Sequence, residues 1–205
     1  QSGFINEIGF ETYQKILAEA IEELKEKEFK DLYAGTEHEK KEFLKETVID
    51  TDFELLFPDD YVNNISERLN LYTQLNDLKT EADLETFQKE LEDRFGPLPE
   101  PTEDLLDSVR IKWHAIQLGL ERIVMKNGSF IGYFIANQQS DFYQGPTFGK
   151  LLQYVQLHPR KVQLKEKQTR KGLRLLLRFE KAESVSQILQ HLREILPQET
   201  TVHGS

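Results

Sequence analysis

The segment Gly145-Pro146-Thr147-Phe148-Gly149-Lys150-Leu151 brings together two glycines and a lysine, the residue types with which a backbone loop cradles phosphate. Such a loop needs four residues between its glycines and a Ser or Thr after the lysine to hold magnesium. Here three residues intervene and Leu151 follows Lys150, so the segment reads as a turn and a helix start. The chain is therefore expected neither to bind nor to hydrolyse ATP. His38, His114, His158, His191 and His203 show no HExxH or other paired spacing that would put two of them on one helical face, and no metal site is expected. No GxSxG elbow offers a serine nucleophile. Glu37-His38-Glu39 has acid and base residue types but lies in a highly charged stretch, where nothing would shift a pKa or exclude water. The chain has no cysteine, which excludes disulfides, thiolate metal sites and cysteine nucleophiles.

Two charged constellations remain. At about 100° per residue, Asp83, Thr86, Glu90 and Asp93 fall on one helical face, away from Leu84, Phe87, Leu91 and Phe95. Glu90 and Asp93, at i and i+3, weaken an isolated helix slightly unless cations face them; the face is either solvated or a dock. The second is the basic tract from Arg160 to Lys181, with Lys161, Lys165, Arg170, Lys171, Arg174 and Arg178. Read as strands, Lys161, Gln163, Lys165, Arg174 and Arg178 point to one side and would suit phosphate or an acidic protein. The tract brings no aromatic residue suited to base stacking, and a solvated face is the alternative.

The elements that would position these groups follow from periodicity. Tyr13, Ile16, Leu17, Ala20, Ile21 and Leu24 recur at helical spacing. A charged stretch follows, and a boundary is expected inside Lys25–Lys45. Val48–Phe57 alternates as a half-buried strand, ended by Pro58-Asp59-Asp60. Ser66 is a candidate cap for a helix through Leu69, Tyr72 and Leu75, and Thr80 for one through Leu84, Phe87, Leu91 and Phe95 that stops at Gly96. Thr102 is read as the cap of a third, carrying Leu105, Leu106, Val109, Trp113 and Ile116 and closed by Gly119. Phe95 and Trp113 are expected in a shared core. Arg122–Lys126 and Ser129–Ile135 flank Asn127-Gly128, a strong hairpin signal. A helix with Phe148, Leu151, Leu152 and Val155 comes next, then strands Val162–Lys167 and Leu173–Phe179, and a last helix from Ser184 to Leu196. The expected class is α+β: several amphipathic helices packed with a small, mainly antiparallel sheet built from hairpins.

With 205 residues and 38% hydrophobic content the chain can bury a sizeable core. It lacks the apolar run of about 18 residues that a membrane helix needs, and a soluble, cytoplasmic protein is expected. Residues 1 to 110 hold 12 Lys and Arg against 29 Asp and Glu, a charge of −17, whereas residues 111 to 205 hold 14 against 7, a charge of +7. The acidic half is a poor nucleic-acid binder and suits a basic protein surface. The start at Gln1-Ser2-Gly3, running into helical periodicity, reads as a piece of a longer polypeptide.

The run from Glu90 to Pro101, Glu-Leu-Glu-Asp-Arg-Phe-Gly-Pro-Leu-Pro-Glu-Pro, followed by Leu105-Leu106 and Leu118-Gly119-Leu120 with Ile123, closely resembles the C-terminal domain of bacterial transcription-repair coupling factors, the Mfd family. Gly9-Phe10-Glu11-Thr12-Tyr13 resembles that family's junction between motor and C-terminal domain, and Gln1-Ser2-Gly3 the tail of a translocation motif. Leu56, Pro58-Asp59-Asp60-Tyr61, Arg68-Leu69 and Leu71-Tyr72 fit between; Val62-Asn63-Asn64-Ile65 departs where the family often has an Ile-Pro-Asp turn. Similarity is dense to about residue 123 and thin beyond.

The resemblance implies a junction helix over 1–30, a charged linker over 31–46 and a compact regulatory domain over 47–205. It implies a non-catalytic chain without cofactors of its own, belonging to an ATP- and magnesium-dependent DNA translocase. That parent displaces RNA polymerase and recruits excision repair. Its N-terminal module, which recruits the repair protein UvrA, is the implied intramolecular partner; UvrA, RNA polymerase and double-stranded DNA are met through the parent, and no membrane is involved. Residues similar to Glu90 and Asp93 lie on the family's docking surface. An accessory domain touching nucleic acid through the basic hairpin is the alternative.

Overall fold

The computed structural model describes residues 5–7, by their backbone, and 43–196. Of the helix expected over 1–30 only Ile5–Glu7 falls within that range, and it is a strand, β1; the rest of that helix and nearly all of the 31–46 linker lie outside it. The described chain forms two units, Phe53–Ile111 and the remainder.

The first unit is helical, with a core of its own. Helix α1 runs over Ile65–Asp77 and α2 over Glu81–Phe95; α3, Glu100–Gln117, passes out of the unit at its C-terminal end. Asn64, not Ser66, caps α1, accepting from the Glu67 amide at 3.0 Å. Thr80 caps α2 through the Asp83 amide at 3.2 Å, and Gly96 ends it at φ 88°, a conformation glycine adopts without strain. Leu71, Leu75, Leu84, Phe87, Leu91 and Leu106 are buried around Phe57, whose ring lies 4.7 Å from Tyr72 and 6.5 Å from Phe87. Thr102 is fully buried and caps nothing; its hydroxyl donates to the Leu56 carbonyl at 3.0 Å. Phe95 and Trp113 are half-buried rather than buried as expected. On α3 the buried positions near Trp113 are Ile111, His114 and Ala115, none of them on its own side of the helix.

The second unit is a sheet with helices on one face. Val48–Thr51 (β2), Leu120–Lys126 (β3), Ser129–Phe134 (β4), Val162–Thr169 (β5) and Gly172–Phe179 (β6) join β1 in the order β1-β5-β6-β4-β3-β2. Every pairing is antiparallel except β2 with β3. The β3–β4 turn has φ 54° at Asn127 and 69° at Gly128, the primed geometry that matches strand twist. Strand β2 ends at Thr51 rather than Phe57 because its partner runs out: Thr51 pairs with Met125, and Asp52 already accepts from the Asn127 amide in the turn.

Alternation sorts the sheet's two faces. Ile123, Met125, Phe130, Phe134, Val162, Leu164, Leu177 and Phe179 are buried on one. Helix α4, Pro146–Leu157, and helix α5, Val185–Ile195, cover that face with Phe148, Leu151, Leu152, Ile188, Leu189 and Leu192. Phe148 stands 5.8 Å from Phe134, and His191 5.0 Å from Phe179. The fold is thus α+β with a mainly antiparallel sheet. Among the described residues no helix is long and apolar enough to cross a membrane.

Candidate functional site

Helix α2 holds the first candidate surface. Leu84, Phe87 and Leu91 seat one side in the core and leave Asp83, Thr86, Glu90 and Asp93 exposed on the other. The Thr86 hydroxyl donates to the Ala82 carbonyl at 3.0 Å, so it serves its own helix. Two nearby arginines are engaged elsewhere. Arg94 pairs with Glu67 and lies 4.8 Å over the Phe95 ring, and Arg110 reaches both carboxylate oxygens of Glu81, at 2.9 and 3.0 Å, and Asp107 at 2.8 Å. Among the described residues Asp83, Glu90 and Asp93 form no ion pair, and neither does Lys89 beside them. The field of this unit is felt on α3, where burial and then the charges of Glu100, Asp107 and Glu103 raise the Asp104 carboxyl above its ordinary range. The end of α2 is pinned, since the Tyr61 hydroxyl donates to the Gly96 carbonyl at 2.8 Å and its ring lies 5.7 Å from Phe95.

The second candidate lies on the sheet face opposite α4 and α5. Strand register puts Gln163 with Arg178, Lys165 with Leu176 and Lys167 with Arg174 on that face, together with Tyr133 of β4 and Arg122 of β3. Lys161 does not join them: it pairs with Glu194 of α5 at 3.6 Å, and Glu194 also accepts from the Tyr154 hydroxyl. The residues brought together are Arg122, Lys167, Arg170, Lys171 and Arg174, which line a concavity of about 460 Å³ with Glu121, Tyr133 and Thr169. Tyr133 sits among the cations. Lys167 Nζ lies 5.6 Å, the Arg174 guanidinium 5.7 Å and that of Arg122 5.9 Å from its ring centre. Arg174 is held by Glu121 and by the Phe134 carbonyl, while its Nε is buried without a hydrogen-bond partner.

The tract reading missed Tyr133, because the aromatic ring arrives from another strand. The β4 alternation places Tyr133 opposite the buried Phe130 and Phe134, but which cations would meet it depends on the β4–β6 register. Below Glu121, burial first and then that carboxylate push the Tyr143 phenol up to about 12, against an opposing effect of Arg174. Tyr143 is therefore a neutral donor, bonded to the Ile135 carbonyl.

The remaining sequence candidates resolve simply. Gly145 precedes α4 with Pro146 at its first turn, so the lysine–glycine segment is a helix start. His158 and His191 bond the Tyr154 and Lys181 carbonyls, and His114 is buried. Glu37-His38-Glu39 and His203 lie outside the described residues. Among the described residues no three His, Asp or Glu side chains converge as a metal site.

Residues 51–145 match the family model described as the TRCF domain. Transcription-repair-coupling factor of Escherichia coli (strain K12) is 35% identical over 124 residues, 60% of this chain and 10% of that protein. That of Rickettsia conorii is 35% identical over 137 residues, 67% of this chain and 11% of that protein. The chain belongs to the transcription-repair-coupling factor family. It spans about a tenth of the length of these curated relatives. A crystal structure of the C-terminal domain of a transcription-repair coupling factor covers 74% of the chain and is itself covered to 96%, with a TM-score of 0.52 at 18% identity, which is a likeness of fold. The TRCF segment takes in α1 to α3, β3 and β4, and with them the whole acidic face of α2. Arg122 and Tyr133 lie inside it, whereas Lys167 to Arg174 come from the hairpin beyond.

Proposed function

We propose that this chain is the C-terminal regulatory module of a transcription-repair coupling factor and that the acidic face of α2 docks it against a basic surface elsewhere in the parent protein. In this reading the docked state covers the surface that recruits UvrA. The parent is an ATP- and magnesium-dependent DNA translocase that displaces stalled RNA polymerase, and residues 1–205 carry no catalytic step of their own. The observation that favours it is the set of exposed carboxylates at Asp83, Glu90 and Asp93, without ion-pair partners among the described residues, on a helix rigidly seated by Leu84, Phe87 and Leu91.

Magnitudes suit a switch. Exposed ion pairs contribute about 0.2–1 kcal/mol each, too little to hold two separate proteins. Within one polypeptide the effective concentration reaches about millimolar, so the same pairs keep a closed state populated and still yield when a partner favours the open one. The test is UvrA affinity of the full-length protein carrying Glu90→Lys and Asp93→Lys, with a deletion of this module as the open reference. Both variants are expected to bind UvrA more tightly than the unmodified protein. A gain in the deletion without one in the double variant removes α2 as the latch, and a gain in neither removes the regulatory role.

A further inference from the structure

The basic concavity is built at a cost to the sheet. Lys167 and Arg174 face each other directly across β5 and β6, and like charges at such a position destabilise strand pairing. The turn that closes the hairpin adds Arg170 and Lys171, both exposed and without a side-chain ion pair among the described residues. Among the described residues Glu121 is the one carboxylate lining the concavity, and it is bound to Arg174. Five cations therefore line the concavity around Tyr133; Arg174 is paired with Glu121 and Arg122 with Asp50 at 3.4 Å, and the buried Nε of Arg174 is left without an acceptor among the described residues.

We propose that this concavity binds the phosphate backbone of a single nucleic-acid strand. Guanidinium forks and ammonium groups together suit phosphate oxygens, and a bound polyanion would offset the Lys167–Arg174 repulsion. The ring of Tyr133 distinguishes this ligand from an acidic peptide: a cationic groove around an aromatic side chain is the arrangement that single strands exploit, by pairing phosphates with cations and a base with the ring. A volume of about 460 Å³ lies in the range that holds a ligand of nucleotide size. The site is separate from the acidic face of α2 and does not depend on its role.

The test is anisotropy of a labelled oligothymidylate of about 12 nucleotides against the 205-residue chain over a salt series. Arg170→Glu/Lys171→Glu changes two turn side chains that hold nothing in the fold. It is expected to weaken binding by about tenfold or more and to flatten the log–log salt slope by about 1.4, the value for two lost single-strand phosphate contacts. Arg160→Glu/Arg193→Glu, with the same charge change at exposed positions outside the concavity, is expected to bind within about twofold of the unmodified chain. Tyr133→Leu is expected to weaken binding at unchanged salt slope. Equal losses in the two charge-reversed variants would overturn the proposal, as would absence of oligonucleotide binding. A polyglutamate peptide that binds at least as tightly as the oligonucleotide would overturn it in favour of an acidic protein.

Discussion

Gly119, read from sequence only as the stop after a helix, turns out to be under two constraints at once. Its φ is 70°, and a Cβ there would stand 2.5 to 2.8 Å from three ring atoms of Phe142. That ring has nowhere to go, being buried with its centre 5.5 Å from Tyr143, 5.7 Å from Phe148 and 6.4 Å from Phe134. Gly119→Ala is expected to cost about 2–5 kcal/mol, the sum of a left-handed backbone penalty and overpacking. Gly128 has nearly the same φ, 69°, but nothing within 4 Å of its Cβ position, so Gly128→Ala should show the backbone penalty of about 1–2 kcal/mol alone. Urea denaturation of both variants checks the pair, and equal midpoints would mean that Phe142 yields. The helix-stop reading of Gly119 was available from its position in the chain; the aromatic contact was not, because Phe142 is more than twenty residues away and local pattern carries no such information.

At the scale of elements the difference between local and distant information recurs. The Asn127-Gly128 hairpin, the Thr80 cap and the Gly96 stop are each set within four residues, and each was legible. Strand β2 was expected six residues too long because alternation reports a half-exposed chain but not the length of the strand beside it. Thr102 has the residue type of a cap and the place of one, yet α3 begins at Glu100 and the Thr102 hydroxyl ties the helix to Leu56, 46 residues earlier. Thr102→Val keeps the shape and removes that donor, leaving the Leu56 carbonyl without it. A cost of about 1–3 kcal/mol is expected, read as a lower denaturation midpoint with helix content unchanged; a loss of helix signal instead would restore Thr102 as a cap. The two candidate surfaces divide in the same way: the face of α2 follows from one helix's periodicity, whereas the basic concavity required the register of four strands.

For the molecule as a whole, charge changes sign along the chain between the helical unit and the C-terminal part of the sheet unit. Residues 53–111 hold 5 Lys and Arg against 15 Asp and Glu, a charge of −10, and residues 112–196 hold 14 against 6, a charge of +8. The change of sign was visible in the sequence; the division was not, since α3 continues through it without a Gly or Pro to mark the place. The sheet, in turn, is open. Among the described residues β1 and β2 are its outermost strands, and an outermost strand offers unpaired backbone groups to any other chain. Strand β2 is four residues long and bears Val48, 60% exposed, next to Ile49, so its sequence would suit edge-to-edge aggregation were it not for Asp50. Lys126 at 2.8 Å and Arg122 at 3.4 Å hold that carboxylate, and the Lys126 hydrogen bond above all keeps its pKa below the ordinary range against an opposing effect of desolvation. The group therefore stays ionised under mild acid and acts as a gatekeeper against self-association. Asp50→Val should leave the fold in place and make the protein self-associate with rising concentration, which static light scattering would report; a variant that stays monomeric would show that the shortness of β2 is protection enough.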